Sequence, residues 1–332
     1  MTEYVSLKFD PNQMIHLLGV QLYDTPLAML RENVQNAVDA IRERAEMDSR
    51  PFVPQVKVTI ANGQIVISDN GKGMTKNILE NNYWTAGNSS KNTEEAQKAG
   101  VVGHFGIGAL ANFGICSKLE LSTRYYDSNV RYNSVAFRNK LSGKDISVDE
   151  EEDTSDNYGT MVKVTLLDAA SVTVEQAKDY LHQYVRYVDI PIYINGDLIS
   201  QEEVIIKERT SSTFLKDHYK GSFCSFSYEL VFNKFQPISP EILITDIELF
   251  GRKINGKVYL KNDGKSNGIM GLCNGFGLAR LNLISWFNFS GFMDFDFLQP
   301  TAGREAVSRD SNTTALSFFV EVERFWANII SG

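Results

Sequence analysis

Residues 27–44 read LAMLRENVQNAVDAIRER, with apolar residues recurring at helical spacing. At about 100° per residue, Leu30, Val34, Ala37, Val38 and Ile41 gather on one face. Glu32, Asn36, Asp39 and Glu43 fall within roughly 40° of one another on the opposite face. The pattern predicts an amphipathic helix from residue 26 to about 47, with Thr25 as N-cap and Pro26 as the first helical residue. Two readings of its polar face stand open: a solvated stripe, or a surface turned to a ligand. A solvated stripe ordinarily mixes Lys with Glu, whereas this one carries two acids and an amide before its last turn.

The same patterning organises the rest of the chain. Residues 4–9 alternate like a short strand and 11–19 can start a helix. β-Branched runs at 53–60 and 64–68 flank Ala61-Asn62-Gly63, a hairpin signal. The second run enters Asp69-Asn70-Gly71-Lys72-Gly73-Met74-Thr75, and helical character resumes from Thr75, which can cap it, through Asn81. Residues 83–102 are small and polar with little periodicity; a loop of that length in a compact domain is usually functional or disordered. Residues 103–115 read as a glycine turn feeding a helix. Strands are predicted at 118–126, 134–139 and 159–167, an acidic surface loop at 149–156, a helix at 174–187 and a strand at 190–194. A boundary is placed near Gln201. Beyond it come strands at 242–250 and 257–260, a glycine-broken apolar stretch at 268–283 and an amphipathic helix at 315–330.

A length of 332 residues predicts two domains of ordinary size. Hydrophobic content of 43% and charged content of 22% belong to the soluble globular class. A net charge of −8 leaves no bulk electrostatic footprint for nucleic acid or an anionic membrane. Cys116, Cys224 and Cys273 are widely spaced in apolar or small-residue runs, and read as buried thiols of a reducing compartment. The four histidines are scattered, which argues against a zinc site. The opening MTEYVSLKFDPNQ lacks the basic start and apolar core of a signal peptide, and no apolar run reaches the roughly 18 residues of a membrane span. The expectation is a cytoplasmic protein.

Two glycine-rich segments carry candidate chemistry. Asp69-Asn70-Gly71 is ordinary turn chemistry. Its alternative is a loop whose two glycines let backbone approach a flat ligand, with the Asp accepting from an exocyclic amine. Gly103-His104-Phe105-Gly106-Ile107-Gly108 imitates a dinucleotide fingerprint but lacks the βαβ unit and the later acidic residue. A glycine turn opening a helix still offers backbone amides to phosphates.

In order and spacing these segments resemble the GHKL, or Bergerat-fold, ATP-binding superfamily of gyrase B subunits, ninety-kilodalton heat-shock chaperones, sensor histidine kinases and mismatch-repair MutL proteins. The E-x-x-x-N-A-x-D-A box is complete as Glu32, Asn36, Ala37, Asp39 and Ala40. The D-x-G-x-G-M box is complete as Asp69, Gly71, Gly73 and Met74. The second glycine box is present as Gly103, Phe105, Gly106 and Gly108, and a late Gly159-Thr160 matches the pair that touches the adenine pocket. Within the superfamily the wording is most similar to the heat-shock chaperones, through Leu30-Arg31-Glu32 and DNGKGMTKNIL. The likeness continues in Phe287-Asn288-Phe289, Asp294 and residues 300–305, which resemble their middle-domain catalytic loop. There are departures: Ser308 stands where the family has glutamine, and Ser89, Ser90 and Lys91 match the lid only loosely.

The resemblance implies an α+β chain. Residues 1–200 would form a Bergerat-type two-layer α/β sandwich with a lid at about 83–102, and residues 201–332 a smaller α/β middle domain. It implies an ATPase using ATP and Mg²⁺. Asp69, Gly71, Gly73, Met74 and Thr160 would receive adenine, Asn36 would hold magnesium, and Asp39 would support the site. Gly106 and Gly108 would give backbone amides to the phosphates, and Lys91, Gly103, Phe105 and Ile107 would also belong to the nucleotide-binding set. Glu32 would activate water, and Arg304 would reach the γ-phosphate. The partners implied are client proteins, with a nucleotide-dependent homodimer; membrane and nucleic acid are not expected. The competing readings are a DNA-linked clamp like MutL or gyrase, and a nucleotide-gated interaction module with little turnover. A sensor kinase is disfavoured because no phosphoacceptor-histidine helix precedes the domain.

Overall fold

The computed structural model describes residues 25, 27–85, 108–141, 146–169, 171–207, 212–232, 240–262, 268–301 and 306–331. The elements expected at residues 4–9 and 11–19 lie outside these, as do Pro26, most of the expected lid and the site candidates Lys91, Gly103, Phe105, Gly106, Ile107 and Arg304. The described residues divide into two compact units. The first runs to Gln183 and resumes over Asp189–Ser200; the second takes Tyr184–Val188 and everything from Gln201 onward. Both combine sheet with helix, the α+β architecture that the sequence predicts.

The first unit is built on eight strands: β1 (Val56–Ala61), β2 (Gln64–Asp69), β3 (Cys116–Arg124), β4 (Val130–Phe137), β5 (Ser147–Glu152), β6 (Gly159–Leu166), β7 (Ile192–Ile194) and β8 (Asp197–Leu198). Their order in the sheet is β5-β4-β3-β6-β2-β1-β7-β8, antiparallel throughout except for the β1–β7 pair. Asn62 and Gly63 both have positive φ, 52° and 70°, so the β1–β2 loop is the two-residue turn whose twist matches a hairpin. Strand β1 alternates strictly, burying Val56, Val58 and Ile60.

Helix α1 (Ala28–Met47) packs on β1, β2 and β6. All five residues of its predicted apolar face are buried. The helix starts later than expected: Leu27, not Thr25, is its N-cap, and no side chain caps it. Thr25 makes the preceding turn, its Oγ1 accepting from Leu27 N–H at 3.3 Å and its carbonyl from Ala28 N–H at 3.1 Å. A short helix α2 (Lys76–Ile78) follows the β2 loop, capped by Thr75 as expected, with Oγ1 3.4 Å from Ile78 N. It widens into a π turn over Leu79–Tyr83. Helix α3 (Gly108–Asn112) packs against α1, and helix α4 is Val174–Val185.

A further expectation needs correction in part. Only the second half of the expected acidic loop at 149–156 is loop: 153–156 are without regular structure, whereas Ser147–Glu152 is β5, paired with β4 from Val135↔Ser147 to Val130↔Glu152. Its charge density suits an edge strand, where carboxylates oppose pairing with a further chain, and strand pairing outweighed low β-propensity.

The second unit contains β9 (Thr213–Lys220), β10 (Cys224–Phe232), β11 (Glu241–Leu249), β12 (Arg252–Lys253), β13 (Gly256–Lys261), β14 (Gly268–Cys273), β15 (Phe276–Arg280) and β16 (Ser290–Phe295). The sheet runs β15-β14-β16-β13-β11-β10-β9, with β12 pairing β11. The glycine-broken stretch is thus a hairpin, turning at Asn274 and Gly275 with φ of 51° and 80°. Helix α5 (Arg309–Ser331) seals the unit with Phe318, Phe325 and Trp326, which meet Phe226, Tyr228, Phe289 and Phe295 edge-on or tilted at 4.7–5.8 Å.

Candidate nucleotide site

The polar face of α1 is not solvated. Glu32 is 1% and Asp39 0% exposed, Glu43 is buried and Asn36 half-buried. Carboxylates are rarely buried this deeply unless something compensates them. Near Glu32 lies the Arg31 guanidinium, with Nη2 3.8 Å from Oε1. The next residue, Asn33, ties α1 to α3: its Nδ2 donates to Asn112 Oδ1 and to Met29 O, both at 2.8 Å.

Against the later turns of α1 lies the loop that follows β2. Gly71 has no room for a side chain, since a Cβ there would sit 2.6 Å from the carbonyl carbon of Ala40. Lys72 N–H donates to Ala40 O at 2.9 Å, so the loop is fastened to the helix at the closing alanine of the first box. Gly73 has φ +66°, and a Cβ would overlap the Arg124 carbonyl oxygen. The spaced glycines of this box are therefore explained by backbone meeting backbone, on the helix side at Gly71 and on the β3 side at Gly73.

Four predicted residues converge here. Asp69 Oδ1 accepts from Gly71 N–H at 2.8 Å and from Thr160 N–H at 3.3 Å. Thr160 Oγ1 lies 2.9 Å from Thr123 Oγ1, which also accepts from Met74 N–H at 2.9 Å. Thr123 is fully buried at the centre of this network and was missed by sequence reasoning. The only signal for it is strand register, because Thr123 stands opposite Thr160 in the β3–β6 ladder. Gly159 closes the arrangement with φ +100°, pressed on the Asp69 carbonyl. Gly108 opens α3, joined to α1 through Asn33 and Asn112.

A cationic cluster backs the loop, with Arg44 and Arg124 buried and Arg50 exposed. Arg44 donates from Nη1 to Asn70 O at 2.8 Å and from Nε to Asp48 at 3.1 Å. Arg44, Arg50 and Arg124 each stack within 4.4–5.3 Å of the Tyr158 ring centroid. Hydrogen bonds from Arg50, helped by Arg44, hold the Asp48 carboxyl at about 2, against the desolvation that opposes them. Burial pushes the Cys116 thiol up to about 12 and Cys224 to about 11, and Cys273 is buried as well. All three cysteines are thus inert interior thiols.

In the second unit, Asp294 Oδ2 accepts from Gly275 N–H at 2.9 Å, which anchors the β14–β15 turn. The two ends of the segment that carries Arg304 are joined, Thr301 N–H donating to Ala306 O at 2.8 Å. Ser308 takes up a local role: its carbonyl accepts from Asn312 N–H at 2.9 Å, and its hydroxyl meets Ser311 Oγ at 2.9 Å at the start of α5.

Residues 25–164 match the family described as histidine kinase-, DNA gyrase B-, and HSP90-like ATPase. Along most of its length it is similar to Chaperone protein HtpG of Fusobacterium nucleatum, 24% identical over 338 residues that cover 93% of this chain and 54% of the relative. HtpG of Buchnera aphidicola is 28% identical over 45% of this chain and 29% of its own. The mitochondrial TNF receptor-associated protein 1 homolog of Dictyostelium discoideum is 24% identical over 72% and 36%. The chain spans about half the length of the first of these relatives and about a third of the others. Among the described residues no helix is long and apolar enough to cross a membrane.

Proposed function

We propose that this chain is a magnesium-dependent ATPase of the heat-shock-chaperone type. In this reading residues 1–200 bind and hydrolyse ATP, residues 201–332 act as a middle-type domain, and closure of lid and domains works on client or partner proteins. The observation that carries the reading is the Asp69–Thr160–Thr123–Met74 network, together with the burial of Glu32 and Asp39 on α1. Two backbone amides orient the Asp69 carboxylate, leaving it suited to accept from the exocyclic amine of adenine. Met74 and Gly73 follow directly as the wall against which the base lies. Asn36, half-buried on α1, presents an amide oxygen, the donor chemistry a hard cation takes together with phosphate oxygens. The residues fit Mg²⁺-ATP on that ground; the ion would neutralise phosphate charge.

Glu32, desolvated on α1, would orient the attacking water and take its proton. Asp39 would support Asn36 from behind. Gly108 and the residues before it would offer backbone amides to the phosphates. Arg304 carries the role that the resemblance gives it, stabilising transition-state charge, worth roughly 10³-fold or more in other phosphoryl-transfer enzymes. The test compares Glu32→Ala with Asp69→Asn. The first is expected to bind ATP without hydrolysing it, and the second to lose nucleotide binding. Full turnover by Glu32→Ala would remove the catalytic assignment, and normal binding by Asp69→Asn the adenine assignment.

A further inference from the structure

Lys72 stands between two glycines, where backbone freedom is greatest, and yet it is held at three points. Its N–H donates to Ala40 O and its carbonyl accepts from Tyr126 N–H, both at 2.9 Å. Its ammonium forms an ion pair with Glu43 of α1, with both side chains largely removed from solvent. The neighbouring Arg44 reaches the same loop at Asn70 O. Residues 70–72 therefore ride on α1, while the residues on either side of them, Asp69 and Gly73-Met74, belong to the proposed adenine pocket.

The ion pair is a poor source of stability by itself. Oε2 of Glu43 meets Lys72, but Oε1 is buried without a hydrogen-bond partner among the described residues. Desolvating both charges while leaving one oxygen unsatisfied offsets much of the attraction. What such a pair does supply is register: an ammonium so placed can serve only one position of the loop against the helix.

We infer that Glu43 and Lys72 form a positioning latch for nucleotide, coupling α1, which carries Glu32, Asn36 and Asp39, to the loop that carries Asp69. The inference rests on the nucleotide reading above. Neither residue touches the base in this scheme; both act through the position of the loop. In the intact chain, Glu43→Gln and Lys72→Met are each expected to weaken ADP binding, measured by titration calorimetry, by about tenfold or more, as losing a charged hydrogen bond implies. The reversed pair, Glu43→Lys with Lys72→Glu, is expected to recover most of that affinity. Melting midpoints without nucleotide are recorded alongside. Lowered midpoints with unchanged ADP affinity would make the pair structural only and overturn the latch, as would failure of the reversed pair to restore binding. If Glu43→Gln does not fold, Glu43→Asp, which keeps the charge but shortens its reach, decides by the same criterion. Asp69→Asn is run in parallel. If it binds ADP normally, the site reading itself fails; if it loses ADP while the latch variants do not, only the latch fails.

Discussion

Thr123→Val is the most informative single substitution in the site, because it removes one hydroxyl and almost no volume. Thr123 Oγ1 accepts from Met74 N–H at 2.9 Å and pairs with Thr160 Oγ1 at 2.9 Å, inside a residue with no exposure. Valine restores the shape but leaves the Met74 amide without its acceptor. An unsatisfied buried donor costs about 1–3 kcal/mol. The Thr160 hydroxyl can rotate, so it adds little. Thr123→Ser makes the opposite cut, keeping the oxygen and losing a methyl worth about 0.8 kcal/mol plus a small cavity. The hydroxyl should therefore matter more than the methyl. The local assay is hydrogen exchange at the Met74 amide, read beside ADP affinity. Protection should fall roughly 5- to 150-fold in Thr123→Val, the range that 1–3 kcal/mol corresponds to, with nucleotide binding weakened in the same variant. Thr123→Ser should stay near wild type in both. If valine protects Met74 as well as threonine does, the hydroxyl network does not hold the loop and the reasoning fails.

Two further outcomes follow from the same geometry. Gly73→Ala should cost far more than Gly196→Ala: both have positive φ, but a Cβ at Gly196 meets nothing within 4 Å whereas one at Gly73 strikes the Arg124 carbonyl. Left-handed strain alone is about 1–2 kcal/mol; urea midpoints that fall equally for the two variants would show the contact to be soft. Asp48 is held at about 2, below its ordinary value of 3.8, so its ion pairs stabilise the folded chain above the ordinary value, and that contribution is lost as pH falls through the folded value. Wild type should therefore lose stability between pH 4 and 2 more steeply than Asp48→Asn, and superimposable acid profiles would contradict this.

Much of the site was legible because its residues answer to local rules. Periodicity alone gave α1 and its apolar face from Leu30 to Ile41, and all five positions are buried. Asn62-Gly63 marked the hairpin because few other pairs accept two positive φ values. Box spacing put Asp69, Gly71, Met74 and Thr160 into one hypothesis, and hydrogen bonds join them. Other features had no local signal. The acidic strand β5 looks like loop until β4 pairs with it, and the hairpin at Gly275 looks like broken apolar sequence until its two strands are seen side by side.

The amino-acid sequence by itself determined where polar groups stand on α1, which loop residues can lack a side chain, and which superfamily these boxes resemble. It could not say what lies opposite them. Helical period places Glu32, Asn36, Asp39 and Glu43 on one face, but whether that face meets water or protein depends on elements distant in the chain. Only tertiary structure buried those carboxylates, brought Thr123 opposite Thr160 across a strand pair, and set the Lys72 ammonium against Glu43. The physical reason is common to all three. A polar side chain acquires its environment, and with it its chemistry, from the groups that fold against it.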